Sequence, residues 1–452
     1  LSEGRQRKIV ERYLWIYALV LVSLTALAWS VYLAEGRPEL KRPLFAQNDR
    51  FRDLTNYSGK IANLRNGGEA LGRGLPVYNY PAPAVYVYAF LLRGFPRHPV
   101  RVYLSILLIG LLISAALLWK AALPGRTRSW GLAAAIVSTG LLGFPLIFTM
   151  DRANLEGAVG LILGAGLVLF AIGRYYGSAI FIGLAASVKP FPGLFFLLLI
   201  RKKLYKEAMV GVVAAGCSTV LALTVLGPTP LAAYKGLQPG VTRYYNDYIM
   251  KVPSPTEGRF EHSIMDSLKS VGSRPAPAGN LRKRHKLDAI KSTQTSGQSA
   301  AESPELVAQE GARRPTGMRT IFFFSVLLST VAFAFVLLRF FKLPVVNQMI
   351  LLGAAITLLP PVAAEYTLLH LYVPFGIFLL FLMREVATGR VVCEQKYILT
   401  LLILFAFLFS PLTFFGSYAG DFKTLLLIGL LIITGSYAMP SSMFNELPPI
   451  SP

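Results

Sequence analysis

Polar residues that can move protons or hold anions stand at the ends of apolar runs in this chain of 452 residues. Asp49-Arg50-Phe51-Arg52-Asp53 follows the first run, with Asn56-Tyr57 close behind and Tyr78-Asn79-Tyr80-Pro81 further on. A carboxylate kept ionised by neighbouring guanidinium groups can act as a general base, although the same residues also read as a solvated loop salt bridge. Met150-Asp151-Arg152-Ala153-Asn154-Leu155-Glu156 crowds charges between two apolar runs. That is costly in a bilayer unless the charges serve a site or reach water. Asp151 or Asn154 is equally suited to capping the helix that follows. Lys189 lies in an apolar context before Pro190 and Pro192. A buried Lys needs an anionic partner, and a lipid phosphate and Glu156 are the two candidates. Glu365 and His370, after Pro360-Pro361, miss the i,i+4 facing but can both reach an outer cavity. His262-Ser263 is a further polar candidate, weighed against the ordinary structural role of a lone His.

The elements that position these residues are membrane helices. Hydrophobic residues make up 54% of the chain and charged ones only 15%, and the apolar residues fall into long runs. Residues 13–33, 104–119, 155–172, 208–226 and 321–338 are such runs, near the ~20 residues that cross a bilayer as a helix. Only helices or closed barrels satisfy their backbone groups there, and the alternation of a barrel is absent. The expected fold is therefore an all-α polytopic bundle of roughly 10–12 membrane helices. The first run is too long for a signal-peptide core and reads as a retained helix.

The formal net charge of +22 does not point to nucleic acid. Its Lys and Arg residues sit mostly at the ends of apolar runs, where they anchor to headgroups and set orientation. Placing the basic amino terminus, residues 120–128, Arg174, and residues 201–206, 339–342 and 384–396 in the cytoplasm gives one self-consistent path. On that path the stretch 177–200 begins and ends inside, so it must form two short helices meeting at Lys189-Pro190. The first outer loop, 34–99, reads as interfacial helices, with Tyr57, Ile61 and Leu64 at helical spacing. The organisation expected is an N-terminal membrane module 1–227, an outer segment 228–317 with a flexible part 284–314, and C-terminal membrane helices 318–452. Asp53, Asp151–Asn154, the Lys189 turn and Glu365 then share the outer face. There is no Walker loop, no Rossmann glycine fingerprint and no His/Cys metal spacing, so no cofactor or metal is expected.

Residues 155–201, above all Gly183-Leu184-Ala185-Ala186-Ser187-Val188-Lys189-Pro190 with Arg201-Lys202-Lys203, resemble glycosyltransferase family 87. Asp53 with Tyr57 four residues on, Gly74-Leu75-Pro76-Val77-Tyr78, Glu261-His262-Ser263-Ile264 and the segment 361–374 extend the resemblance. It implies a GT-C-type fold that uses a polyprenyl-phosphate sugar, as mannosyltransferases of the family do. Asp53 then takes the place of the catalytic base, and Lys189 and Arg152 are candidates for the donor phosphate. Tyr57, Asp151, Asn154, His262, Glu365 and His370 are candidates for substrate contact. The family often has Gly-Gln-x-Asn where this chain has Asp151-Arg152-Ala153-Asn154, so only Asn154 transfers directly. The implied partners are the lipid donor, a glycolipid or glycan acceptor and membrane lipids. The expected setting is a prokaryotic plasma membrane with the site on its extracytoplasmic face. A transporter or flippase using Asp151, Arg152, Lys189 and Glu365 as a pathway is the competing reading; a non-catalytic envelope scaffold is a third.

Overall fold

The computed structural model describes residues 3–34, 51, 53–54, 80–122, 129–226, 229–250, 261–272, 316–387 and 395–437. Tyr57, most of the first outer loop and the segment 284–314 lie outside these residues. Among the described residues the protein is helical throughout, and the single strand-like contact is an antiparallel bridge between Glu261 and Ala364.

Helix α1 (Glu3–Ala34) is followed by α2 (Ala84–Gly94), α3 (Pro99–Ala122), α4 (Trp130–Leu142) and α5 (Phe144–Arg152). Helices α4 and α5 form one interrupted span. Gly143 adopts an extended conformation between them and Pro145 stands in the first turn of α5. Helices α6 (Glu156–Ala171) and α7 (Tyr175–Val188) come next, then a 3₁₀ turn over Phe191–Phe195 running into α8 (Phe196–Arg201). The chain continues through α9 (Tyr205–Leu226), α10 (Pro230–Tyr244), α11 (Ile264–Gly272), α12 (Thr316–Phe340), α13 (Val345–Leu358), α14 (Tyr372–Ala387), α15 (Gln395–Phe409) and α16 (Ala419–Ser436). Seven helical stretches are long and apolar enough to cross a membrane, and shorter apolar helices complete the bundle.

Burial sorts these helices into a centre and a rim. The span that contains α14 is 78% buried, whereas α3 and α9 are 17% buried and α12 is 11% buried. Leu112, Val225 and Phe323 on the three outer helices are among the most exposed large apolar residues, as expected of surfaces solvated by lipid tails.

The stretch 177–200 folds as the expected hairpin. Lys202 Nζ donates to Tyr175 Oη at 2.9 Å, so the beginning of α7 and the end of α8 lie together and Lys189 marks the far tip. The hairpin packs against α9 through glycine. A Cβ on Gly183 would run into the carbonyl of Gly211, and one on Gly211 would meet the Phe196 ring. Small residues of this kind let membrane helices approach backbone to backbone.

Hydrogen bonds fix which helix ends share a side. Glu11 Oε1 accepts from Ser129 Oγ and from the Gly131 amide, both at 3.1 Å, so the start of α1 meets the start of α4. Asn347 Nδ2 donates to Tyr397 Oη at 3.0 Å and to the Thr434 carbonyl at 2.9 Å, and Arg339 Nε donates to the Gly435 carbonyl at 2.6 Å. The starts of α13 and α15 therefore gather with the ends of α12 and α16. These are the basic ends that the sequence placed on one side. At the opposite end of α16, Ser267 Oγ and Thr424 Oγ1 are 2.8 Å apart, and Ser270 Oγ donates to Asp421 at 2.8 Å. Helix α11 is thereby seated on the bundle opposite the basic ends.

Candidate functional site

The turn between α5 and α6 builds the centre of the site. Helix α5 ends in the left-handed conformation at Ala153 (φ 47°), and the Asn154 amide returns to the Thr149 carbonyl at 3.2 Å. This closure turns the Asn154 side chain toward the first outer loop. Its Nδ2 donates to Asp53 Oδ2 at 2.6 Å, while its Oδ1 accepts from the Glu156 amide at 2.9 Å. Asn154 thus satisfies an open donor at the start of α6, as the capping reading expected, and also holds the Asp53 carboxylate. A second tie holds the loop in place: the Phe51 amide donates to the Asp151 carbonyl at 2.7 Å.

Glu156 is buried and uses both carboxylate oxygens. Oε1 accepts from Lys189 Nζ, and Oε2 lies 3.0 Å from His370 Nε2. The structure therefore supplies the protein partner for Lys189 that the sequence held against a lipid phosphate. The Lys189 side chain nevertheless keeps 25% of its exposure, against 2% for Glu156. Its ammonium lies 5.6 Å from the centre of the Tyr80 ring and 5.9 Å from that of Tyr366, within cation–π range. Tyr366 stacks on Phe148 at 6.0 Å, and the Arg152 guanidinium lies 5.6 Å from the centre of the same Phe148 ring. Asp151 is buried beside them.

Tyr103 closes the base of this cluster by donating its hydroxyl to the Asn154 carbonyl. A Cβ on Gly157 would collide with that hydroxyl, so glycine here is a condition of the contact. Asn154 touches both the Asp53 carboxylate and the Glu156 amide, so the two acidic residues meet at one turn.

The other predicted residues diverge. Glu365 turns away from His370 and accepts from Lys423 Nζ at 2.6 Å, with both side chains buried. His262 is fully buried, its Nε2 3.1 Å from Thr367 Oγ1 and its amide bonded to the Ala363 carbonyl at 2.8 Å. Behind it Ser263 Oγ donates to Asp266 Oδ2 at 2.6 Å, and Lys269 Nζ lies 3.4 Å from Asp266 Oδ1. Burial pushes the Asp266 carboxyl above its ordinary range, against the pull of Lys269 and Ser263. His262 thus sits in the seam that holds α11 against residues 361–367. Among the described residues no group of acidic, His and Cys side chains has the makings of a metal site.

The sequence named Glu156 as a possible partner of Lys189 and gave it no role in the site, and it did not single out Lys423. Glu156 was visible as an acidic residue opening an apolar helix. Lys423 pairs across 58 residues, which local spacing does not disclose.

Beside Lys189, a groove of about 470 Å³ opens between the hairpin and α12. Pro190, Phe191 and Leu194 form one wall, and Phe322, Val326 and Phe333 the other. The hydroxyls of Ser325 and Thr330 turn back onto their own helix, to the Phe322 and Val326 carbonyls, so the wall they belong to stays apolar.

Residues 78–254 match the model of glycosyltransferase family 87, so the resemblance drawn from the sequence holds over that region. The match includes the Asp151–Glu156 turn and the Lys189 hairpin, and it stops short of Asp53, Glu365 and His370 on either side. No curated protein and no solved structure matches the chain.

Proposed function

We propose that this protein transfers a sugar, mannose or a related hexose, from a polyprenyl-phosphate carrier to a hydroxyl of a glycolipid or glycan acceptor. The reaction takes place at the extracytoplasmic face of a prokaryotic plasma membrane. The observation that carries this reading is the continuous bonding from Asp53 through Asn154 to Glu156 and on to Lys189. It supports the reading because a candidate base and a candidate phosphate ligand then belong to one cluster, beside an apolar groove suited to an isoprenoid tail.

Asp53 accepts the proton of the acceptor hydroxyl as its oxygen attacks the anomeric carbon. The bond between that carbon and the carrier phosphate breaks, and its electron pair stays on the phosphate oxygen. Lys189, with Arg152 nearby, stabilises the charge gathering there. One displacement forms the new glycosidic bond with inversion, and no covalent enzyme intermediate is needed. Tyr366 and Tyr80 border the same space and offer surfaces on which a sugar ring can rest.

The test is transfer from a radiolabelled polyprenyl-phosphate mannose by the purified protein in lipid nanodiscs. Asp53→Asn is expected to reduce turnover by about 10²–10⁴-fold, the range of a lost general base. Its thermal transition should stay near that of the parent. Unchanged turnover in that variant removes Asp53 as the base. Failure of the parent protein to transfer from any polyprenyl-phosphate sugar removes the reading itself.

A further inference from the structure

Glu156 is anionic, buried and directly behind the proposed phosphate ligand, a position that at first sight opposes binding of an anion. The geometry around it is uneven. Its carboxylate is closed in, with Oε1 on Lys189 and Oε2 on His370, whereas Lys189 stays a quarter exposed at the hairpin tip. An ammonium has three donors in rotatable positions. Lys189 can therefore donate to an arriving anion with a second N–H while one stays on Oε1, and His370 still holds Oε2.

We propose that Glu156 is a positioning residue that stores Lys189 while the site is empty and expels the spent carrier after transfer. This rests on the transferase reading above. The donor is a phosphodiester with one negative charge. The product is a phosphate monoester, which carries close to two at neutral pH. Lys189 attracts both, and Glu156 repels both, but the repulsion grows with the charge on the ligand. A site made of Lys189 alone would hold the product more tightly than the donor and release it slowly. With Glu156 behind it, that preference is weakened, so the charge that the reaction itself creates holds the product less firmly than Lys189 alone would.

The unmodified protein gives the first measurement. Inhibition of transfer is compared for polyprenyl phosphate and for its methyl ester, a singly charged diester of the same tail. The two are expected to inhibit within about 3-fold of each other, and an advantage of the monoester on the order of 10-fold or more overturns the proposal. The second measurement uses Glu156→Gln, which keeps shape and removes the charge. Inhibition by polyprenyl phosphate should tighten on the order of 10-fold, as expected for removing one like charge at close range. Single-turnover transfer should persist while steady-state turnover falls, leaving a burst. Glu156→Asp keeps the charge and should keep inhibition within about 2-fold of the parent by the same argument. A purely structural role predicts equal losses in single-turnover and steady-state rates with inhibition unchanged or weaker, and that result sinks the proposal. Absence of transfer in the parent protein would instead count against the transferase reading, so the two failures are distinguishable.

Discussion

Asn154 donates its side-chain amide to Asp53 across 2.6 Å, and it is the residue that joins the segment after α1 to the turn between α5 and α6. The two residues are 101 positions apart in the chain. One comes from a loop that follows a single membrane helix, the other from a turn locked by the left-handed Ala153. Because Asn154 also accepts from the Glu156 amide, a shift in this turn is passed to both carboxylates.

Replacing Asn154 should therefore act on rate more than on folding. Asn154→Ala removes the bond to Asp53 and is expected to lower transfer by roughly 10²-fold, the scale of a misplaced reacting group. Asn154→Asp sets a second carboxylate against Asp53, and like charges disfavour ionisation. A base must be ionised to work, so the acid limb of the pH–rate profile should move to higher pH in that variant. A limb that stays in place would separate Asp53 from the proton transfer.

The buried pair Lys423–Glu365 makes a prediction about stability. Removing one partner leaves an uncompensated charge, which costs about 3–5 kcal/mol where the pair is fully buried. Lys423→Met should accordingly lower the thermal transition in detergent by a clear margin. Lys423→Met combined with Glu365→Gln should recover most of the loss. A double variant no better than the single one would show that the lysine stem's packing, rather than its charge, carries the effect.

Gly183 and Gly211 set the distance between the hairpin and α9, and a Cβ at Gly183 has nowhere to go but into the Gly211 carbonyl. Gly183→Ala is expected to cost about 1–3 kcal/mol, typical of overpacking. Lys189 lies at the tip of the same helix, so donor KM should rise with that loss. Stability measured by melting and donor KM measured by transfer check both parts. Gly216 on α9 has open space, and Gly216→Ala should be close to neutral in each assay.

Much of the architecture was legible because bilayers punish misplaced charge. The hairpin followed from one fact, that both flanks of an apolar stretch of this length are basic, and the Lys202–Tyr175 bond now joins those flanks. Lys189 was legible as the tip because proline follows it twice. The choice of partner was not legible. Glu156 serves Lys189 and His370 from positions 33 and 214 residues away, and such pairings depend on helix packing that periodicity does not encode. Lys423 is of the same kind, since its partner Glu365 lies 58 residues away. Tyr57 and the interfacial helices expected around it lie outside the described residues, although α2 (Ala84–Gly94) does fold as a short apolar helix after Pro81 and Pro83.

Sidedness gives the last prediction. Asn154 is buried, and a label there would report accessibility of the cluster rather than of the face. His98 is exposed at the turn between α2 and α3, at the same end of α3 as Tyr103 and the site. Tyr205 is 61% exposed at the start of α9, beside the basic end of the hairpin. Cys217 is exposed on α9 and Cys393 lies outside the described residues, so both are first replaced. In that background His98→Cys should react with a membrane-impermeant maleimide in intact cells, and Tyr205→Cys only after permeabilisation. This expectation rests on the positive-inside rule, which would put the basic helix ends in the cytoplasm and Asp53 and Lys189 on the other side. The reverse labelling pattern would place the site on the cytoplasmic face. The carrier would then have to be used from the inner leaflet, before any flipping of its sugar.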